Sequence, residues 1–182
     1  MDETVICFQF TDHKTHPKRK IKLPYFNKFL IDIIVFFWNM LKLPDLRELE
    51  RLAKDNGTST ILLLLSLIEA TRYFDDKALK DTALDALRRY IKKAEFGFGD
   101  LVTALHSTFE GVNQPPHLFD ASQKLLFTAA TMRTEETLPL VLHGDDGQDE
   151  ERNMWKHLMQ TQAFIENWYV AMCWHIKRSA SS

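Results

Sequence analysis

The sequence of 182 residues predicts an α+β protein that is mainly helical, with a small N-terminal sheet and extra C-terminal helices. From Lys28 onward, apolar residues recur at three- and four-residue spacing, which is the period of helices that bury one face. Before Lys28, the segments Val5–Phe10 and Lys20–Leu23 are short and partly alternate apolar with polar residues, as half-buried strands do.

Composition indicates an ordinary globular protein with one sizeable core. Hydrophobic residues make up 45% of the chain and charged residues 26%. The formal charge of -2 creates no field that would attract nucleic acid, so we expect no nucleic-acid partner. Cys7 and Cys173 are too few for a disulfide scaffold. This cysteine usage favours a reducing compartment, and we predict a cytoplasmic or nuclear location.

No segment has the pattern of a membrane or secretory sequence. The acidic start, Met1–Thr4, lacks the basic region of a signal peptide. The longest apolar stretch, Phe29–Leu41, is shorter than a bilayer requires and contains Asp32 and Asn39. We therefore predict that it is a buried helix and that the protein has no membrane partner.

The first predicted elements are bounded by proline and by capping residues. Pro24 ends the second strand because proline has no N–H to donate to a ladder. Asn27 can cap the helix from Lys28 to Leu41, which is apolar on nearly all sides and should be covered almost all round. Asp45 and Glu48 then form a potential capping box for a short helix.

Two helices are predicted to meet at a corner between residues 59 and 93. The first contains the apolar run Ile61–Leu65, and Asp75 is placed to cap the second. Apolar residues of the second helix share one face, which should be buried: Leu79, Ala83, Ala86, Leu87, Tyr90 and Ile91.

The C-terminal half predicts three further helices. A glycine-punctuated hinge at residues 95–100 precedes a helix that ends before Pro115. Asp120 and Gln123 form a second potential capping box. After an acidic loop, the last helix is predicted from about Glu150 to Arg178. It has too much aromatic surface to remain exposed to water, so it should pack on the protein or on a partner.

The sequence contains no assembled catalytic or metal-binding constellation. A nucleophile beside a base, a carboxylate pair in a glycine-rich setting and a phosphate-cradling loop are all missing. Cys7, His13 and His16 lack a fourth ligand for zinc. We therefore predict no catalytic residue, no metal and no cofactor, and a protein that is not an enzyme.

Three segments resemble the Skp-family adaptors of cullin ubiquitin ligases, which have a BTB/POZ fold. They are Lys20–Asn27 leading into the helix with Trp38, the corner Ala70–Asp81, and Ile91-Lys92 with the helix after it. The resemblance implies a BTB/POZ-like domain at residues 1–110 and a helical extension at residues 111–182. It also implies binding of an F-box-type helix and a cullin contact at Arg72 and Tyr73.

A module that holds another helix needs apolar anchors bordered by charge. The predicted anchors lie on the helix after the hinge and on the last helix: Leu101, Val102, Leu105, Phe109, Trp168, Tyr169, Met172 and Trp174. We therefore expect a noncatalytic adaptor whose partner is an F-box-type or other helical segment.

Two alternatives stay open. The first is a helical scaffold or inhibitor that captures partner helices without recruiting a cullin, which the short N-terminal region favours. The second is a wholly helical bundle, such as a viral-type groove protein, that binds amphipathic peptides. Pairing of the two predicted strands beside the helix Phe29–Leu41 would favour the BTB/POZ interpretation over the bundle.

Overall fold

A computed structural model describes residues 4–8, 19–23, 26–93, 96–109, 119–133, 150–161, 164–166, 168–170 and 173. For residues 4–8, 19–23 and 150–152 it describes the backbone alone. The strands are β1 (Thr4–Phe8) and β2 (Arg19–Leu23). The helices are α1 (Lys28–Met40), α2 (Leu46–Asp55), α3 (Thr60–Phe74), α4 (Lys77–Lys93), α5 (Phe98–Phe109), α6 (Ala121–Met132) and α7 (Glu150–Gln160).

The protein is mainly helical, as the sequence predicts. Strands β1 and β2 pair antiparallel, with Thr4 opposite Leu23 and Phe8 opposite Arg19. A hairpin of this size does not establish a BTB/POZ-like core, and the packing of its side chains lies outside the described residues. The BTB/POZ core therefore stays a prediction.

Side-chain caps begin several helices where the sequence predicts them. Asn27 accepts a hydrogen bond from the N–H of Leu30 at 2.9 Å, and Asp45 accepts one from Glu48 at 2.9 Å. Asp120 and Gln123 form a complete capping box at the start of α6. Each cap satisfies an N–H that would otherwise lack a partner within its helix.

The cap of α4 is Asp76, which corrects the prediction of Asp75. The backbone of Asp75 is left-handed, with φ of 50°, and its N–H closes the end of α3 on the carbonyl of Thr71. The neighbouring Asp76 carboxylate accepts from the N–H of Leu79 at 2.9 Å. One chain corner therefore uses consecutive aspartates, the first to end α3 and the second to begin α4.

Helix α3 occupies the centre of the molecule and contacts α1, α2, α4 and α5. Its apolar residues face several directions, so a central position is the one that removes them from water. Helices α6 and α7 pack on α5. One cluster of buried side chains runs from Phe26 to Trp168, so the helices after residue 110 share the core of the helices before it.

The last helix is interrupted, in contrast to the predicted span of about Glu150 to Arg178. Helix α7 ends at Gln160, and Thr161 forms a bend. The N–H of Thr161 donates to the Leu158 carbonyl, and the Thr161 carbonyl accepts from Phe164. Residues 164–166 and 168–170 are helical again after this bend. The bend allows Trp155 and Phe164 to meet with ring centroids 5.9 Å apart.

Candidate functional site

The predicted partner groove lies inside the protein. Leu101, Val102 and Leu105 are 0% exposed, and Phe109 and Trp168 are 1% exposed. These five side chains therefore form core contacts within the chain. The structure corrects the expectation that they line an accessible groove.

Aromatic packing explains this burial. The ring of Phe109 lies 5.0 Å from Phe119 and 5.4 Å from Phe164, measured between centroids. Trp168 lies 5.9 Å from Trp155 in an edge-on arrangement. Such contacts stabilise an aromatic cluster beyond the gain from area burial alone. The apolar stripe of α5 and the aromatic residues after the acidic loop cover each other.

Of the remaining predicted anchors, one is described and accessible. Tyr169 is 61% exposed. Met172 and Trp174 lie outside the described residues. The adjacent Val170 is exposed as well, but two neighbouring exposed residues are ordinary on a protein surface and do not define a binding site.

The two residues predicted to contact a cullin lie at the exposed corner between α3 and α4. Tyr73 is 59% exposed, and its ring packs edge-on with the ring of Phe26, with centroids 5.1 Å apart. Arg72 is also exposed and forms an ion pair with Asp120 at 3.0 Å. The structure thus places Arg72 and Tyr73 at the surface, with Arg72 already engaged to the start of α6.

The Asp120 carboxylate is stabilised in its charged form. Partial burial raises its pKa, whereas the hydrogen bonds from Ser122 and from the Gln123 N–H lower it. The positive charge of Arg72 acts in the same direction. The pKa of Asp120 is consequently below its ordinary value, and Asp120 remains negative at neutral pH.

A cleft of about 710 Å³ separates α1 from α2. Its α1 wall contains Phe29, Ile33 and Phe36, and its α2 wall contains Leu52. The remaining lining residues are Asn27, Lys28, Asp32, Pro44, Glu48 and Asn56. Asn27 and Asn56 also line a smaller pocket together. The N-terminal end of α1 and the C-terminal end of α2 therefore meet at one end of the cleft.

The α1 wall follows a regular helical spacing. Phe29, Ile33 and Phe36 are separated by four and three residues, and Met40 continues the series after another four. Residues at this spacing share one face of a helix. Phe36 is 39% exposed and Met40 is exposed as well, while Ile33 is buried at the floor. This set, Phe29, Ile33, Phe36 and Met40, is called the α1 stripe below.

Two charges on the α1 wall are uncompensated. Lys28 and Asp32 line the cleft, and neither forms an ion pair or hydrogen bond within the described residues. Glu48 on the opposite wall is held by Arg51 through two contacts of 2.9 and 2.5 Å. The hydrogen bond from Arg51 lowers the pKa of Glu48. The free charges of the cleft are therefore one cation and one anion, a single turn apart on α1.

Sequence reasoning missed this site because α1 is apolar in so many directions. The segment predicts a helix covered almost all round, whereas Val35, Phe36, Met40 and Leu41 are exposed in the structure. The polar residues Lys28, Asp32 and Asn39 were the available signal, because they lie on the uncovered side of the helix. Only the position of α2 decides that this side is a cleft.

A second cleft of about 580 Å³ lies among α3, α5 and α6. It is lined by the Arg72–Asp120 pair, by Glu69 and by hydroxyl side chains that include Ser66 and Ser107. No group of three or more potential metal ligands occurs among the residues that the structure describes. Leu62, Leu65 and Ile68 of α3 line this second cleft as well, but none of these three is exposed, whereas Phe36 of the α1–α2 cleft is a large exposed apolar side chain, so the α1–α2 cleft is the better candidate for a binding site.

Comparison with known proteins returned no match to this chain among family models, curated proteins or solved structures. The Skp-family resemblance therefore stays a prediction from the sequence. Within the described residues, every helix is too short or too polar to span a bilayer.

Proposed function

We propose that this protein is a noncatalytic scaffold that captures an amphipathic helix of a partner protein in the cleft between α1 and α2. The observation that carries the proposal is the α1 stripe: Phe29, Ile33 and Phe36 line the cleft, Phe36 is still exposed there, and the exposed Met40 continues the same face one turn further along α1. Grooves of this type bind a helix through apolar side chains on one of its faces. The α1–α2 cleft would be the binding surface of the helical scaffold that the sequence left open as an alternative.

The dimensions of the cleft suit a helix. The stripe residues that line the cleft, from Phe29 to Phe36, extend along about two helical turns, or about 10 Å, and Met40 adds a third turn beyond the lining. The four-three-four spacing of its members is the spacing by which facing helices interlock their side chains. Leu52 and Pro44 supply apolar contacts on the other side. A partner helix of about three to four turns would fill this length.

Exposed apolar surface is concentrated on α1. Val35, Phe36, Met40 and Leu41 are all exposed, within a segment of seven consecutive residues. Of these, Phe36 and Met40 share one face of α1, one turn apart, and exposed apolar surface of this kind favours an interaction because leaving it in water is unfavourable. A bound helix would remove Phe36 and Met40 from water. This gain favours binding over an empty cleft.

The test is fluorescence anisotropy with a labelled peptide of about 18 residues, which carries four leucines at four-three-four spacing. We expect binding to the wild-type protein and at least a tenfold loss of affinity in Phe36→Glu, because a charge would replace an apolar anchor that the bound peptide covers. Tyr169→Glu is the matched control, since it alters another exposed aromatic residue far along the chain. Both variants should retain the wild-type circular dichroism spectrum.

Equal affinity of the wild-type protein and Phe36→Glu would contradict the α1–α2 cleft. Loss of binding in Tyr169→Glu alone would instead favour the C-terminal anchors that the sequence predicted. The two substitutions therefore separate the two surfaces in one experiment.

A Skp-type adaptor in the cytoplasm or nucleus, with a BTB/POZ-like core, is the second candidate function. The exposure of Tyr73 at the corner between α3 and α4 favours it, because the family resemblance puts a cullin contact there. A purified cullin N-terminal domain would then bind the wild-type protein and not Tyr73→Lys. Absence of cullin binding to the wild-type protein would exclude this role and leave the scaffold function in place.

A further inference from the structure

The charged residues of the α1–α2 cleft that lack an ion-pair partner restrict which charges a bound helix can carry. Lys28 and Asp32 line the cleft beside the α1 stripe, and neither has a partner within the described part of the chain. No ion pair joins them to each other, although they are one turn apart. Glu48 on the facing wall is already neutralised by Arg51. An incoming helix therefore meets one unpaired cation and one unpaired anion.

We infer that the helix bound in this cleft carries a basic residue opposite Asp32 and, three or four residues later, an acidic residue opposite Lys28. This inference rests on the proposed function and specifies its partner. On α1 the cation precedes the anion. A partner whose base precedes its acid matches both charges only when it runs antiparallel to α1.

The dipole of α1 favours the same orientation. Lys28 is the first residue of α1, where the helix end carries a partial positive charge. An antiparallel partner brings its own negative C-terminal end, and its acidic residue, to this positive end. Its basic residue lies nearer its N-terminus, opposite Asp32. The dipole therefore favours the antiparallel direction, and the base-before-acid order of the partner follows from that direction, because an acid-first partner would pair with Lys28 and Asp32 only when parallel to α1.

Charges at the edge of an apolar groove act mainly on orientation and on the choice of partner. Exposed pairs contribute modestly, whereas like charges placed opposite each other penalise the wrong partner. The α1 stripe would supply the affinity, and Lys28 with Asp32 would select among amphipathic helices. We expect a preference of about tenfold between matched and mismatched charge order.

The experiment compares two labelled peptides of identical composition in the anisotropy assay. Both carry the four leucines; one has Lys followed by Glu four residues later, and the other has Glu followed by Lys. The wild-type protein should bind the Lys-first peptide about tenfold more tightly. The double variant Lys28→Glu, Asp32→Lys should reverse this preference, because both substitutions are at exposed positions and exchange the charges in place.

The possible results distinguish the inference about the partner's charges from the proposed function of helix binding. Equal binding of both peptides, with loss of both in Phe36→Glu, overturns the charge pattern and supports the cleft as a helix site. Preference of the wild-type protein for the Glu-first peptide overturns the antiparallel orientation. Failure of both peptides to bind the wild-type protein overturns the proposed function and the inference together. A wild-type dimer that Phe36→Glu dissociates in sedimentation assigns the cleft to a second copy and also overturns the inference.

Discussion

At Asp120 one carboxylate joins three interactions. It accepts from the N–H of Gln123 and from the hydroxyl of Ser122, and it forms the ion pair with Arg72. The first two hold the start of α6, and the third ties α6 to the end of α3. The pKa of Asp120 is lowered because these contacts favour the charged form more than partial burial opposes it. The stability of the protein should therefore depend on the protonation of this residue.

Replacing Asp120 should reduce stability by an amount that depends on pH. Asp120→Ala removes the cap and should cost about 1 to 2 kcal/mol at pH 7 in urea denaturation. Asp120→Asn keeps a good cap and removes only the charge, so it should cost less than about 1 kcal/mol.

The sign of the pH effect follows from the lowered pKa. The charge-dependent stability is fully present above about pH 4, the unfolded value for aspartate, and is lost as the pH falls through the lower folded value. The difference between the wild-type protein and Asp120→Asn should thus shrink when the urea titration is repeated below pH 4. A difference that grows with acidification would contradict the assigned contacts.

Among the elements, α1, α3 and α4 meet at a corner that one side chain joins. Asp76 caps α4 through the N–H of Leu79, and its other oxygen accepts from the indole N–H of Trp38 on α1 at 2.9 Å. Trp38 also packs edge-on against Phe74, with centroids 5.3 Å apart. The corner therefore fixes α1, and with it one wall of the cleft, to the end of α3.

Loss of the Asp76 carboxylate should loosen this corner. Asp76→Ala removes a helix cap and leaves the indole N–H of Trp38 without this acceptor, so it should lower the free energy of unfolding by about 2 kcal/mol. Asp75→Asn is the matched control; asparagine tolerates the left-handed backbone at this position, so its effect should be within about 0.5 kcal/mol. Urea denaturation followed by tryptophan fluorescence measures both. A larger loss of unfolding free energy in Asp75→Asn than in Asp76→Ala would indicate that Asp75 is the cap of α4.

For the whole molecule, one core extends across the boundary predicted at residue 110. Phe109 packs on Phe119, Phe127 and Phe164, which all follow that boundary in the sequence. Trp155 and Trp168 are buried in the same cluster. The helices after residue 110 therefore complete the core of the preceding helices.

A fragment of residues 1–110 should not fold on its own. It would lack α6 and α7, which pack on α5, and would expose Phe109, which packs on later aromatic residues in the full chain. We expect the fragment to lack a cooperative thermal transition in circular dichroism, whereas the full chain should unfold cooperatively. Cooperative unfolding of the fragment would support the separate N-terminal domain that the family resemblance implies.

The sequence by itself determined the local structure. Helical periodicity predicted the mainly helical class, and the caps at Asn27, Asp45 and Asp120 were readable because capping depends on residues three positions apart. At the α3–α4 corner, two consecutive aspartates were equally suitable caps. The left-handed backbone at Asp75, which the sequence did not specify, assigned the role to Asp76.

Only the tertiary structure decided which apolar faces were covered. The stripe of Leu101, Val102, Leu105 and Phe109 and the stripe of Phe29, Ile33, Phe36 and Met40 are alike in sequence pattern. In the first case α6 and α7 pack on α5 and aromatic residues from beyond residue 118 contact Phe109, while α2 leaves a cleft beside the second stripe. Periodicity specifies that a helix has an apolar face, but burial of that face depends on residues distant in the chain.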